Sequence, residues 1–372
     1  MLVDAGNFTG PLPSTASMRG LFQIEMAKKL GYDALTIGGG DARLGRDVLL
    51  STAADPSLPL VSANLRDHDT GKLLLPSTRI VERNGVKIGV TAVTVAMKDD
   101  GLELSSVGID EGDPVDALSS VLPELRKKCG ITVLLARMPI ERAKALGETF
   151  ADLVDVVVVG GNVVGRGLVH RENGGAVYLT AGNRGQALGR VRARLGADGR
   201  PKDIVGDEVT LSTSLPENAE IAALVEAFKA NLNDILKEDA LRAATAHAAS
   251  DGSYYLGVSK CAECHRKEFD VWSGTKHAQA FQTLVAVNSD ALPECYRCHV
   301  TGAEDPAGYM PGADSTRSLA NVQCEVCHGK GSHHARDGSW GQGLLKNACA
   351  KCHDPHNSPD FDLEVYWDKI RH

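Results

Sequence analysis

Three features that often identify a protein class are missing from this 372-residue sequence. No segment approaches about eighteen consecutive apolar residues, so no membrane span is predicted. Positive charge is not in excess: 40 Lys and Arg against 48 Asp and Glu give a net charge of −8, which argues against a nucleic-acid-binding surface. The first residues, Met1 to Gly6, lack the charged and apolar regions of a signal peptide. The remaining composition is that of an ordinary globular protein.

The last third of the chain also has little apolar periodicity. From Tyr254 onward it instead collects all three tryptophans, eight of the nine cysteines and nine of the twelve histidines. A segment of roughly 120 residues with so small an aliphatic core needs another source of cohesion. The ninth cysteine, Cys129, has no free partner in the sequence, and we expect a buried or unpaired thiol.

The eight cysteines form four C-x-x-C pairs, each followed directly by a histidine: Cys261, Cys264 and His265; Cys295, Cys298 and His299; Cys324, Cys327 and His328; Cys349, Cys352 and His353. C-x-x-C-H is the attachment signature of c-type haem. Two thiols one helical turn apart add to the two vinyl groups of a porphyrin, and the adjacent imidazole reaches the iron. The pattern predicts four covalent haems, whose macrocycles supply the missing core.

Zinc is the alternative, because C-x-x-C pairs also build Cys₄ and Cys₂His₂ sites. A zinc site does not require histidine directly after the second cysteine. Four such neighbours by chance have a probability on the order of 10⁻⁶. We therefore interpret the four motifs as haem sites.

Bis-histidine coordination requires up to four further imidazoles. The remaining histidines after Tyr254 are His277, His333, His334, His356 and His372. Adjacent side chains point in different directions, so we expect only one of His333 and His334 to be a ligand. His356 lies three residues beyond His353, too close to cross the same haem. We predict bis-histidine iron at three haems, with the fourth open or more weakly ligated; Met310, the only methionine of the region, allows at most one His/Met site.

Residues 1 to 215 alternate between predicted strands and helices. Ile131–Leu135 and Val154–Val159 are apolar runs typical of buried strands. Asn84-Gly85 lies between two β-prone segments and predicts a type I′ hairpin. The alternation predicts an α/β sandwich. Residues 216–253 then predict a helical connector, and residues 254–372 a mostly helical, loop-rich tetrahaem cytochrome domain.

The last part of the chain resembles the cytochrome c-554 type of multihaem cytochromes. The resemblance rests on Tyr255–Val258, Trp272–Ala278, Cys298–Gly302, Val322–His333, Ser358–Phe361 and Tyr366–His372. It implies a periplasmic or otherwise exported electron carrier with mostly bis-histidine haems. The implied partners are redox proteins, either other cytochromes or a membrane quinol-oxidising complex. Some members of the family act on small nitrogen compounds, so a catalytic haem is the alternative.

The first 200 residues resemble the 5′-nucleotidase branch of the calcineurin-like metallophosphoesterases. The matching stretches are Val3–Phe8, Gly31–Gly38, Ser62–Leu65 and Asn84–Thr91. The resemblance implies an α/β/β/α sandwich whose loops hold two metal ions. The family's opening Asp-x-His motif is absent, and we expect the native protein to extend upstream, through that strand, to a signal peptide.

The family's other metal ligands are also replaced. Asn7 stands where the family has aspartate, Gly38–Asp41 replaces Gly-Asn-His-Glu, Arg137 replaces a histidine, and Gly161–Val164 replaces Gly-His-x-His. Asparagine and arginine do not substitute for imidazoles and a bridging carboxylate. His68 and His170 have no suitably placed partners and are expected to be ordinary surface histidines. The substitutions favour an inactive scaffold or docking surface.

Three functions remain at this stage: an electron-transfer cytochrome with an inactive phosphoesterase-like domain, a multihaem oxidoreductase with one open iron, and a nucleotidase that carries haem. The four C-x-x-C-H motifs favour the first. The lost metal ligands argue against the third.

The motifs predict that the intact protein is heavier than its polypeptide by four haems and keeps its colour in denaturant, because thioether bonds are covalent. Intact-mass spectrometry of protein made in a strain competent for cytochrome maturation measures this. A colourless, zinc-loaded protein from that strain would contradict the haem interpretation.

Overall fold

A computed structural model describes residues 1–8, 15–161, 169–171, 175–181, 185, 187–212, 214–243, 252–303, 305–339, 347–354 and 357–372. The chain divides into two compact units, Met1–Pro216 and Glu217–His372. Among the described residues, no helix is both long and apolar enough to cross a membrane.

The first unit is built on one six-stranded mixed sheet. Along its edge-to-edge order the strands are β4 (Thr78–Arg83), β5 (Val86–Thr94), β7 (Ile131–Arg137), β8 (Val156–Val159), β10 (Val177–Leu179) and β9 (Val169–Arg171). The two outer pairs are antiparallel and the inner pairs are parallel. The hairpin between β4 and β5 turns at Asn84 and Gly85, whose φ values of 51° and 77° are those the type I′ prediction requires.

Three two-stranded sheets complete the first unit. They pair β1 (Val3–Asp4) with β2 (Ala34–Leu35), β3 (Leu65–Asp67) with β6 (Ile109–Glu111), and β11 (Ala187–Leu195) with β12 (Pro201–Thr210). The helices of the unit are α1 (Ala16–Leu30), α2 (Arg46–Ala54), α3 (Pro114–Lys128) and α4 (Ile140–Thr149).

Successive side chains of a strand point to opposite faces of the sheet, so neighbouring residues of the central strands pack in different apolar clusters. On β7, Leu134 packs with α3 and α4, in a cluster that contains Leu118 and Leu146. Its neighbour Leu135 joins the opposite cluster with Ala34, between the large sheet and β2. A third cluster packs Leu35 against α1 and α2. These layers confirm the predicted α/β fold.

The second unit consists of short helices joined by loops, after one long helix. The long helix is α5 (Ala219–Ala243). The short ones are α6 (Val258–Cys261), α7 (Arg266–Ser273), α8 (Ala280–Val285), α9 (Pro293–Tyr296), α10 (Cys324–His328), α11 (Ser332–Asp337) and α12 (Leu363–Trp367). This helical, loop-rich character is the one expected for the last part of the chain.

Helix α5, which the sequence places in a connector, lies within the second unit. Asn233 is buried on this helix, and its amide donates to Asp290 Oδ1 at 2.7 Å and accepts from Ala291 N at 2.7 Å. Lys237 Nζ binds the other oxygen of Asp290 at 2.9 Å. The lysine and asparagine together hold the pKa of Asp290 below its usual range against the opposing effect of burial. The helix therefore anchors the segment that leads into Cys295.

We expect Asn233→Ala to lower the free energy of unfolding of the haem-loaded protein by about 2 kcal/mol, because it leaves a buried carboxylate and a backbone N–H without their partner. Denaturant titration followed by circular dichroism measures the change. The control is Asn231→Ala, which removes an exposed asparagine from the same helix. Equal stabilities of the two variants would contradict this role of Asn233.

Candidate haem-binding sites

Each C-x-x-C-H motif lies on one turn of helix or tight turn. Cys261 ends α6, Cys295 lies in α9, α10 spans Cys324–His328, and Cys349–Lys351 is a 3₁₀ turn. The backbone N–H of His265 donates to Cys261 O at 2.9 Å, as the N–H of His353 does to Cys349 O at 2.8 Å. This turn brings both thiols and the histidine to one side, as covalent attachment to one porphyrin requires.

Three motif histidines face a histidine from a remote part of the chain. The ring centroids are 6.0 Å apart for His265 and His334, 6.1 Å for His353 and His277, and 5.9 Å for His328 and His372. Two metal–nitrogen bonds of about 2 Å, with the nitrogen roughly 1 Å from each ring centre, require a separation of about 6 Å. The donor set and its spacing therefore fit bis-histidine iron.

Hydrogen bonds at Nδ1 orient several of these rings. His334 Nδ1 lies 2.7 Å from Ser339 O, His372 Nδ1 lies 3.0 Å from Ile370 O, and His353 Nδ1 lies 3.0 Å from Ser358 Oγ. His299 Nδ1 lies 2.7 Å from Ala280 O. A carbonyl oxygen can only accept, so at His299, His334 and His372 the Nδ1–H donates and Nε2 is left for a metal.

His277 and His353 also have the protonation state that a ligand needs. Burial lowers the pKa of His277, and the neighbouring His353 lowers it further. Burial likewise lowers the pKa of His353. Both shifts favour the neutral imidazole, which is the form that binds iron.

The structure distinguishes the two adjacent histidines that the sequence leaves open. His334 is the one whose ring faces His265. His333 Nδ1 is instead 2.7 Å from the Arg336 guanidinium, which donates to it. Both lie on α11, and one residue along a helix turns a side chain by about 100°, so only His334 points toward the first motif. His356 lies outside the described residues.

His299, the histidine of the second motif, has different surroundings. Among the described residues no second imidazole forms a ring contact with it. Its Nδ1 partner, Ala280 O, adjoins Phe281, which packs against Tyr309 with ring centroids 5.3 Å apart. Burial raises the pKa of Tyr309. The backbone of Ala280 and the Thr283 hydroxyl, 3.4 Å from His299 Nδ1, are polar neighbours of this imidazole.

Cysteines of different motifs are neighbours. Cys261 lies close to Cys324, and Cys352 lies close to Cys298, near enough for the thiols of each pair to shift each other's pKa. The second contact lowers the pKa of Cys298 to about 6. Cys327 lies near Cys349, and burial followed by that contact raises the pKa of Cys327. The motifs therefore adjoin one another in the order first, third, fourth, second.

In the first unit, Asn7 stands at the centre of the site that resembles a dinuclear phosphoesterase centre. Its Oδ1 accepts from Gly40 N at 2.9 Å, and its Nδ2 donates to Asp100 Oδ1 at 2.6 Å. The buried Asp41 accepts hydrogen bonds from two backbone N–H groups, those of Asn7 at 3.0 Å and Gly38 at 2.9 Å. The protein's own groups therefore use Asn7 Oδ1, Asp100 Oδ1 and Asp41 Oδ2. Asp100 Oδ2 is buried and has no hydrogen-bond partner among the described residues.

Arg137 forms a buried ion pair with Asp100 in the same place. Arg43 Nη2 also donates to Asp100 O at 2.6 Å. Burial raises the pKa of Asp4, against the opposing effects of the Gly6 hydrogen bond and the Arg137 charge. A guanidinium is not a ligand of a divalent metal, and the amide oxygen of Asn7, which could be one, already accepts from Gly40 N.

Within the described residues, no group of three or more His, Cys, Asp or Glu side chains is arranged to hold a metal ion. A Cβ on Gly38 would lie 2.2 Å from Asn7 Oδ1, so the loop and Asn7 are already in contact. Asp100 and Arg43 carry no motif in the sequence, and only the fold identifies them. In the segment 161–164, which stands where the family has Gly-His-x-His, residues 162–164 lie outside the described part of the chain.

The remaining sequence-level expectations concern isolated residues. His68 is exposed and lies 2.9 Å from Asp110 Oδ2, at the surface as expected. The backbone of His170 pairs with Tyr178 across β9 and β10. Cys129 is a buried free thiol, and burial raises its pKa.

We expect His277→Ala, His334→Ala and His372→Ala each to convert one low-spin haem to high spin, because each removes one of two axial imidazoles. EPR of the oxidised protein measures the low-spin count. His333→Ala is the matched control and keeps the wild-type count. Loss of a low-spin haem in His333→Ala but not in His334→Ala would make His333 the ligand instead. An unchanged number of low-spin haems in His277→Ala and His372→Ala would refute these two as ligands.

Comparisons with known proteins address the two units separately. The family model for cytochrome c554 and c-prime matches residues 260–329. Cytochrome c-554 of Nitrosomonas europaea is 30% identical over 98 residues, which are 22% of this chain and 41% of that protein. The resemblance of the last part of the chain to these cytochromes is thereby confirmed.

The first unit is similar to phosphoesterases. A 5′-nucleotidase of Vibrio cholerae is 28% identical over 132 residues, 34% of this chain; the match spans only 23% of that protein's length. The solved structure of the calcineurin-like phosphoesterase YfkN from Bacillus subtilis matches with a TM-score of 0.51 at 20% identity, covering 62% of this chain and 83% of that one. At this identity the match shows the fold alone. The chain thus joins a metallophosphoesterase-like fold to a segment similar to cytochrome c554.

Proposed function

We propose that this protein is an exported tetrahaem c-type cytochrome that transfers electrons, with a phosphoesterase-like unit that binds no catalytic metal. The observation that carries the proposal is the set of three imidazole pairs, His265 with His334, His328 with His372 and His353 with His277, at 5.9 to 6.1 Å. The four C-x-x-C-H motifs support a count of four haems.

The chain's own residues support electron transfer because they would keep the same two histidine ligands on an iron in both of its oxidation states. Bound c-type haem supplies a one-electron iron couple. The paired rings are held at the spacing of a six-coordinate iron, and several are oriented at Nδ1, so a change in iron charge requires little movement of the protein. Six-coordinate sites also leave no position for substrate. Both properties suit a carrier better than an enzyme.

The order of the motifs supports a continuous route. Neighbouring thiols link the first motif to the third, the third to the fourth and the fourth to the second. Each site therefore adjoins the next, and the first and second motifs form the two ends. We propose redox proteins as the partners, either other cytochromes or a membrane quinol-oxidising complex. Because haem attachment of this type takes place outside the cytoplasm, we propose a periplasmic or extracellular location.

A second candidate function is an oxidoreductase that acts on a small nitrogen compound. It is favoured by the surroundings of His299, where no second imidazole ring among the described residues contacts the motif histidine and its Nδ1 lies near Ala280 O. A five-coordinate iron at this position would bind small ligands, whereas the other three sites would not.

The phosphoesterase-like unit is proposed to be inactive. Asn7 and Arg137 occupy positions where the resembling family has metal ligands, and Arg137 neutralises Asp100 in place of an ion. Without metal ions there is no Lewis acid and no activated water for phosphate ester hydrolysis. The unit remains a folded scaffold because its three apolar clusters do not depend on the metal site.

We expect the purified protein to take up four electrons per chain, one for each motif, in a spectroscopic redox titration. It should not turn over hydroxylamine or nitrite, and it should not hydrolyse nucleoside monophosphates with added Mn²⁺ or Mg²⁺. Steady consumption of a nitrogen compound that stops in a His299 variant would establish the oxidoreductase. Metal-dependent phosphate release that is abolished by Asp41→Ala would establish the phosphoesterase.

A further inference from the structure

A buried carboxylate lies inside the third attachment motif. Glu325 follows Cys324 directly and is only 4% exposed. Its two oxygens accept from Leu256 N at 3.0 Å each, from Gly257 N at 2.9 Å and from Gly331 N at 2.8 Å. A middle residue of C-x-x-C-H has no part in haem attachment or iron ligation, so this burial needs a separate explanation.

The three N–H groups belong to the two segments that supply the first pair of imidazoles. Leu256 and Gly257 precede α6, which leads through Cys261 to His265. Gly331 precedes α11, which carries His334, the ring that faces His265 at 6.0 Å. Glu325 thus binds, from the third motif, the segments of both histidines of the first site.

Gln323, on the other side of Cys324, belongs to the same junction. Unlike the carboxylate of Glu325, its amide both accepts and donates hydrogen bonds. Its Oε1 accepts from Val258 N at 2.6 Å, and its Nε2 donates to Ser318 O at 2.7 Å and Ala320 O at 2.6 Å. Gln323 is also 4% exposed. The N–H of Val258, the first residue of α6, has no partner within the helix, and Gln323 satisfies it.

We propose that Gln323 and Glu325 are positioning residues that hold the first haem-binding segment and its remote histidine against the third motif, so that the first and third sites act as one rigid redox pair. The inference rests on the proposed function, since it concerns how haem ligands are held. The contact between the Cys261 and Cys324 thiols is the local consequence of this junction.

Glu325→Gln tests the inference in the complete haem-loaded protein. The side chain keeps its shape, but an amide NH₂ replaces one acceptor and faces backbone N–H donors. The support of His265 and His334 is weakened, and an imidazole leaves the ferrous iron more often. We expect CO binding to the imidazole-ligated haems of the dithionite-reduced protein to become about tenfold faster or more, the range typical of outer-shell changes at metal sites.

Two further variants separate positioning from charge and from general destabilisation. Glu263→Gln makes the same change within the first motif, where Glu263 is exposed and forms a surface ion pair with Lys260; it should keep wild-type CO kinetics. The exchange Gln323→Glu with Glu325→Gln keeps the charge of the junction but reverses its donors and acceptors. We expect it to bind CO at least as fast as Glu325→Gln.

Each outcome decides the inference. Wild-type CO kinetics in Glu325→Gln, or their recovery in the exchange variant, would overturn it. If Glu325→Gln carries fewer than four haems, peptide mapping decides: loss confined to Cys261 and Cys264 supports the inference, and loss elsewhere contradicts it. A wild-type protein without haem would instead refute the proposed function, so the two failures are distinguishable.

Discussion

The second unit is organised around one spacing, that between two imidazole rings that would bind a haem iron from its two faces. Two imidazole ligands of one iron would have ring centroids about 6 Å apart, and the centroids within three histidine pairs are 5.9 to 6.1 Å apart. Each pair joins a motif to a remote segment: His353 is met by His277, and His328 by the last residue of the chain, His372. The topology of the unit follows from these pairings more than from apolar packing, because its described apolar cluster has only four buried members.

The first unit has a metallophosphoesterase-like fold in which the chain's own groups occupy the candidate metal site. Two divalent ions bound by carboxylates and imidazoles form a charged centre that the protein must balance. Here one guanidinium, that of Arg137, balances Asp100, and the Asn7 amide serves as both donor and acceptor between Gly40 and Asp100. A buried ion pair contributes little net stability relative to apolar packing. Its value here is that no buried carboxylate at this position is left without a countercharge.

The features of the protein that depend on the spacing of residues along the sequence could be predicted. The four motifs are local patterns, and the α/β fold follows from local alternation of strands and helices. The candidates His277 and His372 could be found because few histidines remain once the motifs are assigned. The choice of His334 over His333 depends on the phase of α11, and Asp100 and Glu325 matter only through partners distant in the chain. No local pattern reports such contacts, because they arise when segments far apart in sequence meet.

These distant contacts are polar for a physical reason. Helices of four to six residues, such as α6 and α11, are too short to be stable alone, and the apolar surface around them is small. An apolar contact would also hold a helix without fixing its rotation about its axis or its position along that axis. A side chain that accepts from a particular N–H fixes both, which is what an imidazole needs to point at an iron. Gln323 and Glu325 meet this need at the first site, and Asn233 meets it for the segment leading into the second. A unit with a minimal apolar core can therefore hold its ligands precisely by using a few buried, fully paired polar side chains.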